Sequence, residues 1–442
     1  MAKPLVAIVG RPNVGKSTFF NRIVGRRISI VEDIPGVTRD RIYADGRWQN
    51  HEFTLIDTGG IDVQSDEVIP AQMRQQAQLA METADVILFF TDGREGVLSA
   101  DHEVADLLRK SNKPVVLAVN KVDHINHEDV MYEFYELGMG TPYPISSVQG
   151  MGLGDLLDAV VAEFPEESEI YADSETVKIA IVGKPNAGKS SLVNAITGDN
   201  RVIVSDIPGT TRDAIDTLFS TDGKDYILID TAGMRKKSRI EDASVERYSV
   251  IRALTAVRRC DVAVLVLDAD QGVSEQDARI AGYIEEMGKA CVILVNKWDL
   301  IEKDDKTMEE FKKNIYSTLY FIEYAPMLFI SALTGQRVHK VLELVNFVYD
   351  KTQIRITTGM LNDAIDEAVM MVSPPTTKGR RLNILYATQA SVAPPHFILF
   401  VNDSELLPTS YERYLGNHLR KYFDLQGTPI KITPRTRGGE NE

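Results

Sequence analysis

The sequence predicts an α/β protein of two tandem domains, each with a doubly wound, mostly parallel sheet, followed by a small α+β domain. Three observations carry that expectation: an internal repeat, apolar runs alternating with amphipathic stretches, and a change of pattern after residue 351. The repeat is the strongest of them. Residues 10–17 read GRPNVGKS and residues 183–190 read GKPNAGKS, an offset of 173. At the same offset DIPGVTRD (33–40) meets DIPGTTRD (206–213), and DTGG (57–60) meets DTAG (230–233). NKVD (120–123) meets NKWD (296–299) at 176, and ISS (145–147) meets ISA (330–332) at 185. An offset that grows along the chain marks a duplication with small insertions rather than a solenoid.

Within the first copy, residues 5–9, 53–56, 86–90 and 115–119 are short apolar runs of buried-strand type. Their counterparts are residues 179–182, 226–229, 262–267 and 291–295. The third region differs. Residues 358–372 and 410–422 have helical patterning, while 383–389, 396–401 and 430–432 look like strands. Pro374-Pro375 and Pro394-Pro395 punctuate this αββαβ unit. The expected domains are 1–163, 177–351 and 352–442. Residues 164–176 between the first two are acidic, with Glu166, Glu167, Glu169, Asp173 and Glu175 and no base. Mutual repulsion favours an extended linker there, with a helix-end extension as the alternative.

A chain of 442 residues has room for about three domains with their own cores. Its 44% hydrophobic and 26% charged content excludes a disordered or low-complexity chain. Two cysteines, Cys260 and Cys291, cannot build a disulfide framework or a metal knuckle, and both lie in apolar runs that suit buried thiols. Apolar runs fall far short of a membrane span, and the N-terminal run suits a first strand better than a signal peptide. A cytoplasmic protein is expected. The net charge of −15 opposes a general nucleic-acid binder, yet residues 352–442 have a net of +1 and so leave room for a local basic face.

The chemistry lies in the repeated motifs. G-x-x-x-x-G-K-S follows a strand and opens a helix in both copies, the setting a P-loop requires. Gly10, Arg11, Pro12, Asn13, Val14 and Gly15 would wrap phosphates with backbone N–H groups, and Thr18 lies in the helix turn that follows. Gly183, Lys184, Pro185, Asn186, Ala187, Gly188 and Ser191 are their counterparts. Lys16 and Lys189 would neutralise β/γ oxygens, and Ser17 and Ser190 would ligate Mg²⁺. Asp57 and Asp230 stand at strand ends beside that metal, while Gly60 and Gly233 can offer an N–H to the γ-phosphate. Thr38 and Thr211 are the candidate switch threonines that close on Mg²⁺ and γ-phosphate. The base follows from Asp123 and Asp299, which can accept both N1–H and the exocyclic amine of guanine. Adenine lacks that pair of donors and would leave the carboxylate unpaired. Asn120 and Asn296 would hold the ring edge, Lys121 and Lys297 lie along the base, and Ser146 and Ser331 begin the loop that closes over it. The substrate expected is GTP.

With these motifs the chain resembles the translation-factor-like GTPases, specifically the Der/EngA family of double-GTPase ribosome-assembly proteins, over nearly its whole length. The resemblance implies a KH-like C-terminal domain and a link to the large ribosomal subunit and its rRNA, with no DNA or membrane partner. It also implies a K⁺ ion held by a P-loop Asn, here Asn13 and Asn186, near the β/γ bridge. In two places the chain departs from familiar patterns. Ile61 and Met234 stand where many GTPases carry a water-orienting Gln, so slow intrinsic turnover is expected. No GXXG occurs in residues 352–442, which removes the usual KH clamp on RNA backbone. Basic candidates for RNA contact are Lys378, Arg380 and Arg381, then Lys431, Arg435 and Arg437, each equally readable as a solvated loop. Arg235-Lys236-Lys237-Ser238-Arg239 after DTAG is basic, whereas residues 61–67 after DTGG are acidic. The expectation is that the second switch meets an anionic partner when GTP orders it. A GTP-binding regulatory scaffold with little turnover, and a GTPase module of an RNA-modification pathway, are the alternatives.

Overall fold

A computed structural model describes residues 3–24, 43–57, 69–111, 113–123, 128–165, 176–198, 216–230, 244–304, 306–377 and 379–436. The chain divides into two compact units, Met1–Ser174 with Glu241–Ile251, and Glu175–Ile240 with Arg252–Glu442.

The first domain contains β1 (Leu5–Gly10), α1 (Lys16–Val24), β2 (Tyr43–Trp48), β3 (His51–Asp57), α2 (Ile69–Thr83), β4 (Val86–Asp92), α3 (Ser99–Arg109), β5 (Val115–Asn120), α4 (Glu128–Phe134), β6 (Pro142–Pro144) and α5 (Leu153–Ala162). Its sheet runs β2-β3-β1-β4-β5-β6, parallel except for β2. Strands β1 and β4 are buried on both faces, which is why they read as unbroken apolar runs rather than alternating ones. Ala7, Val9, Ile87 and Phe89 pack on one side, and Val6, Ile8, Leu88 and Phe90 on the other. The packing continues past residue 163, because the Phe164 ring lies 5.7 Å from that of Phe53. Of the expected linker, residues 166–175 lie outside the described residues.

The second domain repeats the plan with β7 (Val177–Val182), α6 (Lys189–Gly198), β8 (Thr217–Thr221), β9 (Lys224–Ile229), α7 (Ser244–Arg259), β10 (Val262–Asp268), α8 (Glu275–Glu286), β11 (Ala290–Asn296), α9 (Thr307–Thr318), β12 (Met327–Phe329) and α10 (His339–Thr352). The order β12-β11-β10-β7-β9-β8 is the same sheet, again with one antiparallel edge strand. Cys260 and Cys291 are buried and free, and burial pushes the Cys260 thiol up to about 12.

The third domain has α11 (Thr358–Met371), the short hairpin β13 (Thr376–Thr377) and β14 (Arg380–Arg381), then β15 (Ile384–Ser391), β16 (His396–Val401), α12 (Thr409–Tyr422) and β17 (Lys431–Thr436). Its sheet order is β15-β16-β17, with β17 parallel to β16. Both helices cover one face, through a core that includes Leu361, Ile365, Phe397, Leu399, Leu415 and Leu419. Among the described residues, no helix is long and apolar enough to cross a membrane.

Candidate nucleotide-binding sites

In each of the first two domains the leading central strand ends in a loop that turns directly into a helix. The turn depends on glycine. Gly15 has φ +97°, and a Cβ there would meet Asn120 Nδ2 at 2.2 Å; Gly188 has φ +91°, and its Cβ would meet Asn296 Nδ2 at 2.1 Å. Glycine there lets the Asn120 and Asn296 amides pack directly against each loop, which any larger residue would prevent. Lys16 Nζ donates to the carbonyls of Gly10 (2.5 Å) and Arg11 (2.6 Å), and Lys189 Nζ to those of Gly183 (2.7 Å) and Lys184 (2.6 Å). Each ammonium is thus folded back over its own loop. Pro12, Asn13, Thr18, Asn186 and Ser191 are exposed, Pro185 is half-buried, and Val14 and Ala187 are buried. Asn13 and Asn186 both hold the left-handed conformation, at φ +65° and +63°.

The two remaining loop positions are held by acidic side chains. Arg11 Nε donates to Asp101 Oδ1 at 2.9 Å and its NH1 to Glu95 Oε2 at 2.7 Å. Lys184 donates its backbone N–H to Asp277 Oδ1 at 3.2 Å, and its ammonium lies 3.7 Å from Oδ2. Asp101 and Asp277 are fully buried near the starts of α3 and α8. They anchor the loop from behind, a role the motifs did not reveal. The available signal was their recurrence at the same offset of 176 as the NKxD pair.

Ser17 Oγ donates to Asp57 Oδ2 at 2.9 Å, which brings together the hydroxyl and carboxylate expected around Mg²⁺. In the second domain Asp230 lies at the end of β9 with φ +59°, its N–H donating to Asp216 Oδ1 at 3.0 Å. Thr38, Gly60, Ile61, Thr211, Gly233, Met234 and residues 235–239 lie outside the described residues.

Strands β5 and β11 lead into the candidate base-recognition residues. Asn120 Nδ2 donates to Val14 O at 2.7 Å and its Oδ1 accepts from Ser147 N at 2.9 Å. Asn296 repeats this with Ala187 O at 2.8 Å and Ala332 N at 2.9 Å. One amide thus ties the phosphate loop to the base loop. Lys121 Nζ reaches Asp92 Oδ2 at 2.5 Å and Lys297 Nζ reaches Asp268 Oδ2 at 2.6 Å, which fixes each lysine stem beside the pocket. Burial pushes the Asp92 carboxyl up, but the bonds from Lys121 and the Arg94 N–H outweigh it and hold it below the usual range. The candidate specificity carboxylates differ between domains. Asp123 accepts from Ser146 Oγ at 2.8 Å and pairs with Arg94. Asp299 Oδ1 is buried with no hydrogen-bond partner among the described residues, and Ser331 Oγ accepts from Thr334 N at 3.1 Å. An orphaned buried acceptor of this kind suits a ligand that brings its own N–H donors.

A family model described as 50S ribosome-binding GTPase matches residues 5–121 and again 178–297. GTPase Der of Alkaliphilus metalliredigens is 60% identical over 442 residues, covering 100% of both chains. GTPase Der of Ruminiclostridium cellulolyticum is 58% identical over the same full length, and that of Geobacillus kaustophilus is 59% identical over 437 residues, covering 99% of this chain and 100% of the relative. The chain belongs to the Der/EngA family. Like the family, it is a GTPase that acts in ribosome assembly. A second model, the KH-domain-like C-terminal domain of EngA bacterial GTPase enzymes, matches residues 355–435. The αββαβ unit is therefore the KH-like domain of a Der/EngA protein, and the duplicated α/β domains are its two GTPase modules.

Proposed function

We propose that the protein is a switch that docks on the maturing large ribosomal subunit with GTP bound and leaves after hydrolysis. The observation that carries this reading is two equivalent glycine-dependent P-loop turns in a chain whose GTPase modules both match a 50S ribosome-binding family. In it, Lys16 and Lys189 bind β/γ oxygens, and Asp123 and Asp299 select guanine. Thr38, Gly60, Thr211 and Gly233 sense the γ-phosphate. Ser17, Thr38 and Asp57, with Ser190, Thr211 and Asp230, would hold Mg²⁺, whose chemistry is neutralisation of phosphate charge. Asn13 and Asn186, exposed at the loop apex in a left-handed conformation, would hold K⁺. With Ile61 and Met234 unable to orient water, turnover is slow and the bound state long-lived.

The test is co-sedimentation with large and small subunits in the presence of a non-hydrolysable GTP analogue, GDP or no nucleotide, across a salt series. The reading expects GTP-dependent association with the large subunit that weakens steeply with salt. Charge reversal of Arg235, Lys236, Lys237 and Arg239 should abolish it while GTP binding persists. Association indifferent to nucleotide would overturn the switch.

A further inference from the structure

The sheet of the KH-like domain has two unlike faces. Phe397, Leu399 and Val401 on β16 and Ile432 on β17 point into the core under the helices. The alternate residues therefore point the other way. Strand register sets them in rows: Tyr386, Phe400 and Arg435; Thr388, Ile398 and Thr433; then His396 and Lys431. The Tyr386 and Phe400 rings stack with centroids 4.3 Å apart and planes within 13°. Tyr386 is 39% exposed, and Lys431 and Arg435 are exposed on the edge strand. Among the described residues neither cation enters an ion pair. His396 bonds to Thr433 Oγ1 at 2.8 Å, and burial together with the Lys431 and Arg435 charges holds its imidazole below the ordinary range. At neutral pH it adds a ring but no charge.

We propose that this face is a docking surface for single-stranded RNA, with a base stacked on the outer side of Tyr386 and phosphates held by Arg435 and Lys431. The proposal rests on the reading that the protein works on ribosomal RNA, and it assigns a contact that needs no GXXG loop. An open sheet with stacking rings and flanking cations is the physical basis of sequence-tolerant single-strand binding. The geometry has the right reach. Lys431 and Arg435 are four residues apart along one strand, about 13 Å, so the two can meet separate phosphates of an extended strand. A protein partner would have to supply carboxylates for both cations, whereas an RNA strand brings anions and flat rings together.

The experiment is fluorescence anisotropy of the full chain with a short labelled single-stranded oligoribonucleotide, beside large-subunit co-sedimentation of the same proteins. Tyr386→Leu should weaken oligonucleotide binding about 5- to 100-fold, and Tyr386→Phe should bind within about twofold of wild type. Lys431→Gln and Arg435→Gln should each flatten the salt dependence by about 0.7 in the log–log slope. GTP turnover should stay unchanged in all four. Tyr386→Leu binding the oligonucleotide as wild type does would overturn the proposal. So would loss of subunit association in that variant by a protein that, as wild type, ignores naked RNA, since the face would then meet a ribosomal protein. If wild type fails to co-sediment, the large-subunit reading falls while the oligonucleotide result still decides the face.

Discussion

Asp299 shows how a residue is prepared for its ligand at the cost of the free protein. Its Oδ1 is buried without a partner among the described residues, and an unsatisfied buried acceptor costs about 1–3 kcal/mol. Guanine N1–H and its amine would supply two charge-assisted bonds of roughly 1.5–3 kcal/mol each. Asp299→Asn should therefore weaken GDP binding at the second site about 100-fold or more while the ligand-free chain loses no thermal stability. Isothermal titration calorimetry should show one tight class of sites where wild type shows two; two tight classes in the variant would refute the assignment. Asp123→Asn should spare the second site in the same way. Its partner Arg94 has no equivalent in the second domain, where Asp270 takes the position. The placement of the candidate guanine-binding residues was legible because NKxD sits at a strand end in both copies. The buried anchors Asp101 and Asp277 were not, since an acid near a helix start reads as an ordinary cap until the loop it holds is in place.

At the level of elements, α8 begins with such a cap. The Asp277 carboxylate accepts from Ser274 N at 3.0 Å and Ser274 Oγ at 2.6 Å while also holding the Lys184 N–H of the phosphate loop. One side chain thus satisfies helix-end donors and fixes the P-loop. Asp277→Ala should cost about 2–4 kcal/mol, combining a lost cap with orphaned buried N–H groups. Thermal unfolding should show the drop, and nucleotide affinity should fall at the second site alone. Retained affinity there would show that the loop stands without the anchor. Among the strands, the central ones were legible because burial on both faces leaves mostly apolar residues. Apolar runs do not mark β2, β6 or β8, and the apolar β12 is only three residues long; all four lie at the sheet edges with at least one face half-exposed. For β8 a turn signal did exist: Asp222-Gly223, with φ of +51° and +75°, closes the hairpin to β9.

Across the second unit as a whole, the KH-like domain is fastened to the second GTPase domain at a point no motif announces. Gly427 donates its N–H to Tyr324 O at 2.9 Å, and its carbonyl accepts from Cys291 N at 2.8 Å, at the start of β11. Around this seam, Tyr324 bonds to Glu285 and lies 4.8 Å below the Arg420 guanidinium, while Lys351 pairs with Asp424. Burial raises the Glu285 carboxyl, with the Tyr324 bond and Arg420 only partly offsetting it. Gly427 has φ +79°, and a Cβ there would lie 2.4 Å from Val348 Cγ2 of α10. Gly427→Ala should therefore strain the backbone and push the two domains apart by an atom's width, breaking both backbone bonds together. Hydrogen exchange at the Cys291 and Gly427 amides should accelerate about tenfold or more for each 1.4 kcal/mol lost, while GTP turnover by the first domain stays constant. Adding Val348→Ala removes the two closest contacts but leaves a Cβ at 3.0 Å and the left-handed strain, so protection should return only in part. Exchange unchanged in Gly427→Ala would mean that the seam is held by the Glu285, Tyr324 and Arg420 cluster rather than by the glycine's two bonds.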